Sequence, residues 1–256
     1  MPIIWYLYFK LIIINNKLKI EALLEKFKHQ GIFTTRDVRN FYAEEEPKIP
    51  NNTVNWRIYK LVQSGIISRV GRGKYIAGAQ VEFKPFLGKK EISITDQLEK
   101  HFPFSDFSIW TTDAIQEFYQ HYSRVKFIIV EVDRDSVEAV FHFLKDNYSK
   151  VYLKPTQDMV ENLLLHMKDV IVIQNLISQA PLQEIQKTTT VTLEKLLVDL
   201  FCEKNLFFYL QGSELQNIFQ RAFEKYTINE SKLLRYADRR KKKDEIREMI
   251  ISIKRH

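Results

Sequence analysis

The 256-residue chain is 45% hydrophobic, enough for a packed core, and its seven Gly and seven Pro are too few for a long low-complexity linker. A single cysteine, Cys202, excludes an internal disulfide and a multi-cysteine zinc site and fits a reducing cytoplasm. The net charge of +7 is uneven: residues 17–78 hold 12 Lys+Arg against 6 Asp+Glu, residues 79–180 hold 11 against 15, and residues 181–256 hold 15 against 11. Both ends are basic around an acidic middle, which points to a polyanion partner such as nucleic acid.

The chain begins with an apolar extension, residues 1–16, opening MPIIWYLYFKLIII. Lys10 interrupts this run, NNKLK follows it, and fourteen residues fall short of the roughly 20 that span a bilayer as a helix. A segment packed on the core is expected rather than a secretory signal or an anchor.

Residues 17–79 read as a small DNA-binding domain. In KIEALLEKFKHQG, Ile20, Leu23, Leu24 and Phe27 have the spacing of one helix face, closed by Gly31. TTRDVRNFY predicts a second helix capped at Thr35, with Val38, Phe41 and Tyr42 on its apolar side. Pro47 and Pro50 end it, and Asn51 or Asn52 is placed to cap a third helix. On that third helix Val54, Ile58, Leu61 and Val62 face one way, while Thr53, Trp56, Arg57 and Lys60 form a second stripe; Gly65 supplies the stop. IISRV and KYIAG then flank a Gly-Arg-Gly turn, a hairpin with Arg69, Arg72 and Lys74 on or beside it. Three helices and a basic two-stranded wing constitute a winged helix-turn-helix. The expected DNA contacts are Thr53, Trp56, Arg57 and Lys60 on the third helix, with Arg69, Arg72 and Lys74 on the wing.

Residues 80–180 change pattern. FIIVEV (127–132), KVYL (150–153) and DVIVI (169–173) read as strands, with a helix in SVEAVFHFLKD, so a small α/β domain with a mixed sheet is expected. SITDQLEKHF and TTDAIQEFYQHY add two helices before it. Residues 181–256 read as a helical region. LEKLLVDLF carries a stripe at Leu193, Leu196, Leu197, Leu200 and Phe201, SELQNIFQRAFEKY opens on a Ser213–Gln216 capping box, and a third helix starts from Asn229 and runs into RRKKK, residues 239–243. The fold class expected is thus α+β and multidomain: a winged helix-turn-helix, a small α/β domain and a carboxy-terminal helical region.

Signals for catalysis are few. Glu131 and Asp133 on a strand with Lys154 on the next suggest a metal-dependent nuclease, but their order does not suit one. QGSELQ resembles the Gly-Ser helix start of nucleotidyltransferases, yet no carboxylate pair on a strand follows it. The six histidines lack metal-ligand spacing. No enzyme activity, cofactor or metal is indicated.

The chain resembles the bacterial abortive-infection antitoxins of the AbiEi type, of the type IV toxin-antitoxin class, over roughly residues 17–245. The resemblance is carried by SGIISRVGRGKYIAG, by FSIWTTDAIQEFYQHYSRVKFIIVEVDRDSVEAVFHFLK, and by APLQ and LEKLLVDLF. It implies a cytoplasmic antitoxin whose amino-terminal module binds double-stranded operator DNA and represses its own operon. It further implies that the region from residue 80 counteracts a cognate nucleotidyltransferase toxin. Two other readings stand beside it: a winged-helix regulator that senses a ligand through its middle region, and a metal-dependent DNA-processing nuclease using Glu131 and Asp133.

Overall fold

The computed structural model describes residues 18–27, 30–78, 81–119 and 126–253. The apolar extension of residues 1–16 and the histidines His29, His121 and His256 lie outside the described residues. The chain divides into two compact units, residues 1–82 and 83–256. No helix among the described residues is long and apolar enough to cross a membrane.

The first unit runs α1 (Ile20–Phe27), β1 (Phe33–Thr34), α2 (Thr35–Ala43), α3 (Asn51–Gln63), β2 (Ile67–Gly71) and β3 (Lys74–Ala77). Its strands form an antiparallel sheet in the order β1-β3-β2. The apolar positions anticipated on the helices close over this sheet. Leu23, Phe27, Val38, Phe41, Tyr42, Val54, Ile58 and Leu61 are buried with Phe33, Ile67 and Tyr75, and Phe27 stacks on Phe33 at 4.2 Å between ring centroids. The buried Tyr42 hydroxyl donates to the Leu18 carbonyl at 2.7 Å, and burial pushes its pKa up to about 12.

Two expected caps shift. Thr34, not Thr35, caps α2: its hydroxyl accepts from the Asp37 amide, and Asp37 accepts from the Thr34 amide at 2.7 Å. Pro50 precedes α3, with no side-chain cap there; Asn51 and Asn52 are already helical and exposed. Gly65 ends α3 at φ +69, the left-handed stop the sequence predicts.

The second unit opens with α4 (Lys89–His101) and β4 (Phe107–Thr111), then a 3-10 turn over Thr112–Phe118 in place of the helix expected in TTDAIQEFYQHY. There follow β5 (Phe127–Val132), α5 (Val137–Asn147), β6 (Val151–Leu153), α6 (Gln157–Asn162) and β7 (Val170–Asn175). The sheet has the order β4-β5-β7-β6, with β4 antiparallel to β5 and the other pairings parallel. Both faces are covered. Ile128, Val130, Ile171 and Ile173 pack under α4 and α5, whereas Phe127, Ile129, Val170 and Val172 pack into a larger core on the opposite face. This double burial is why the strands read as continuous apolar runs rather than alternating ones.

A hairpin of β8 (Leu182–Ile185) and β9 (Thr188–Val191) then leads into α7 (Leu193–Cys202), α8 (Ser213–Lys225), α9 (Glu230–Arg239) and α10 (Lys243–Ile253). The large core takes Trp110, Phe127 and Val172 together with Leu196, Leu197, Phe219, Tyr236 and Ile250. The α/β and helical regions expected at 80–180 and 181–256 therefore share one core. Ser213 is the first helical residue of α8 after Gly212 at φ +68, with no side-chain cap, while Asn229 caps α9 by accepting from the Lys232 amide at 3.1 Å. RRKKK becomes the corner between α9 and α10. Arg239 reaches Ser178, Arg240 turns inward, Lys242 pairs with Glu245 and Lys243 with Asp238.

Candidate nucleic-acid interface

The α3 helix packs on Val54, Ile58 and Leu61, each buried, so the opposite side is free. That side carries Asn52, Asn55, Trp56, Tyr59 and Gln63; Trp56 is 44% and Tyr59 55% exposed. Of the expected stripe, Trp56 lies fully on this face, while Thr53 and Lys60 sit half-buried at its margin. The Lys60 ammonium lies 5.8 Å from the Tyr59 ring centroid.

Arg57 is not on the free face. Three residues past Val54 at 100° per residue, it stands about 60° from the centre of the packed side and one residue before Ile58. It is 7% exposed, its guanidinium lies over the Tyr42 ring at 4.5 Å, and Nη2 donates to Glu46 at 2.9 and 3.1 Å. Its Nη1 is buried without a partner among the described residues. Arg57 thus joins α3 to the α2–α3 connection, and its charge is committed within the unit.

Asn55 and Tyr59 were not singled out from sequence. The signal was available: Asn55, Tyr59 and Gln63 recur at i, i+4, i+8, opposite the buried Val54, Ile58 and Leu61. Following the basic residues moved the stripe toward the core.

The β2–β3 hairpin turns at Arg72 and Gly73, the latter at φ +67. A Cβ at Gly73 would meet Thr35 Oγ1 at 3.3 Å, and the Gly73 carbonyl accepts from the Thr35 amide at 2.9 Å. This contact ties the tip of the hairpin to the start of α2. Arg69 and Arg72 are exposed, with Arg69 Nε donating to the Gly71 carbonyl at 3.3 Å, and Lys74 is half-buried. Arg36 and Arg39 on α2 add exposed cations. The Thr34 amide and hydroxyl, both donating to Asp37 Oδ2, hold the Asp37 carboxyl below its ordinary pKa, with the backbone bond as the largest cause.

The second unit buries a cluster of charges. Lys195 on α7 has no exposed surface; its ammonium contacts Glu131 Oε1 at 2.5 Å and Asp199 Oδ2. Trp110 Nε1 donates to Glu131 at 3.2 Å, and Asp199 Oδ1 accepts from the Tyr236 hydroxyl at 2.9 Å and from Arg240 at 2.8 Å. Burial opposes the Lys195 charge, but Asp199 and Glu131 outweigh it and raise its pKa. Burial also pushes the Glu131 carboxyl upward against the pull of Lys195. Glu131 is therefore committed to holding β5 against α7. Asp133 Oδ1 accepts from the Asp135 and Ser136 amides at the start of α5. Among the described residues no three His, Cys, Asp or Glu side chains are grouped to hold a metal ion.

Residues 21–77 match a family model described as "Transcriptional regulator, AbiEi antitoxin", and residues 53–256 match one described as "Family of unknown function (DUF6577)". The two overlap on α3 and the hairpin. No curated protein matches the chain. The second match covers well over half of the sequence, and the chain belongs to the DUF6577 family, with an amino-terminal unit of the AbiEi antitoxin type.

Proposed function

We propose that the amino-terminal unit is a winged helix that binds double-stranded operator DNA and represses its own operon. In this reading α3 enters the major groove, and the β2–β3 hairpin lies along the flanking backbone or minor groove. The observation that carries it is the outward face of α3: Asn52, Asn55 and Gln63 offer paired donors and acceptors that suit adenine edges, and Trp56 and Tyr59 offer apolar surface for thymine methyl groups. Arg69, Arg72 and Lys74 supply phosphate contacts. The matched family model, described as a transcriptional regulator and AbiEi antitoxin, supports the same role. Residues 83–256 are the region that counteracts a cognate nucleotidyltransferase toxin in the cytoplasm; this part rests on the AbiEi resemblance.

Fluorescence anisotropy with the promoter fragment tests the DNA reading. Binding should fall steeply with salt, and Arg69→Ala and Arg72→Ala should each reduce the slope of log K against log salt by about 1. Asn55→Ala and Tyr59→Ala should weaken specific binding by roughly tenfold or more while leaving the salt slope unchanged. Unaltered binding in both α3 variants would remove α3 as the reading element. Restored growth when residues 83–256 are co-expressed with the neighbouring gene product would support the antitoxin assignment, and continued arrest would count against it.

A further inference from the structure

The carboxyl ends of β5, β6 and β7 open into a cleft of about 1110 Å³ in the second unit. Such a position, beyond the ends of parallel strands, is where open α/β sheets bind ligands, and the volume exceeds the roughly 300–1,000 Å³ of ordinary small-molecule pockets. Three features of its wall are unusual. The first is charge: Arg134, Lys154, Arg239 and Lys241 line it, and none of Arg134, Lys154 and Lys241 has a carboxylate partner among the described residues. The second is a pair of buried acceptors, Asp133 Oδ2 and Asn175 Oδ1, that no donor satisfies among the described residues. Leaving such atoms without a hydrogen bond is unfavourable, so groups of this kind on a cleft wall call for a donor from outside the chain. The third is backbone strain. Lys154, Gln179 and Lys241 all have positive φ, at 43°, 61° and 56°, though none is glycine.

The charges are also sorted. Glu99, Asp106 and Asp133, with Arg134 beside them, come from α4 and from the loops at β4 and β5, on one side of the sheet order. Lys154 follows β6 at the opposite side, and Arg239, which bonds Ser178 beyond β7, brings Lys241 with it from the end of α9. A ligand that fills the cleft must therefore offer hydroxyl donors at one end and several negative charges at the other. Phe107, Leu176 and Leu182 add apolar surface for a flat ring.

We propose that this cleft binds a nucleoside diphosphate, with ribose hydroxyls donating to Asp133 Oδ2 and Asn175 Oδ1 and the phosphates held by Lys154, Arg239 and Lys241. The inference is independent of DNA binding by the first unit.

Calorimetric titration of the full chain with ADP, GDP, CDP and UDP, and separately with inorganic phosphate, tests it. Saturable binding of at least one diphosphate at micromolar concentration is expected. Lys154→Ala should weaken it at least tenfold, and Asn175→Ala should weaken the nucleotide without changing the affinity for inorganic phosphate. Thermal melts of both variants identify any that fail to fold, and Lys241→Ala then stands in for a failed Lys154→Ala and Asp133→Asn for a failed Asn175→Ala. Absence of saturable binding by all four nucleotides at millimolar concentration would overturn the proposal. So would binding indifferent to these substitutions, or binding of inorganic phosphate as tight as that of any nucleotide.

Discussion

Lys195→Met probes the strongest buried electrostatic element of the protein. The substitution keeps the volume of the side chain and removes a positive charge that has no exposed surface. Two carboxylates lose it as a partner, but unequally. Asp199 retains the Tyr236 hydroxyl and Arg240, whereas Glu131 keeps, among the described residues, only the Trp110 N–H at 3.2 Å. The loss is thus mainly that of leaving one buried carboxylate without a counter-charge, about 3–5 kcal/mol. For a unit spanning residues 83–256, this corresponds to a fall of about 6–20 °C in its melting temperature. Scanning calorimetry should place the change in the transition of the second unit alone. The sign of the pH effect follows from Glu131. With Lys195 gone, its folded-state pKa rises further above 4.5, the protonated folded form becomes favoured, and stability declines as pH rises through that window. The penalty should therefore be larger at pH 8 than at pH 5. Adding Glu131→Gln removes the stranded charge and should recover most of the loss. A deficit below about 1 kcal/mol, the worth of an exposed ion pair, would refute this account of the cluster.

Three further outcomes are expected. Arg57→Ala should destabilise the first unit by about 1–2 kcal/mol, through loss of its stacking on Tyr42 and its pairing with the partly exposed Glu46, and urea unfolding of that unit would show it. Because the folded-state pKa of Asp37 lies below 3.8, its box contributes stability that is present above that value and lost as pH falls through the folded pKa; Asp37→Asn should flatten the acid-unfolding profile of the first unit. The Cys202 thiol, pushed by burial up to about 11, should react with iodoacetamide at pH 8 far more slowly than a free peptide thiol, and a peptide-like rate would contradict its burial.

Much of the first unit was legible because its helices are amphipathic and isolated by turn residues. Spacing placed Leu23, Phe27, Val38 and Ile58 inward, and Gly65 marked the stop. Arg57 was misassigned because a helical wheel ranks positions by angle, while burial of a boundary position depends on what packs there. Among the described residues Tyr42 and Glu46 make its burial favourable, and both reach it through the tertiary fold.

In the second unit, FIIVEV and DVIVI were recognisable as strands, but β4, β8 and β9 were not. The β8–β9 turn uses Gln186 and Lys187, both at positive φ, in place of the Asn-Gly that signals such a hairpin. Local composition therefore determined which segments are helix or strand wherever periodicity or glycine expressed it. Tertiary structure decided that Leu193 to Leu200 is buried on every side, so that Lys195 and Asp199, spaced i, i+4 on α7, meet Glu131 in the core. It likewise decided that Asp133, Lys154 and Asn175, distant in sequence, line one cleft. Partners separated by dozens of residues leave no local pattern, since only parallel pairing of β5, β7 and β6 brings their carboxyl ends together.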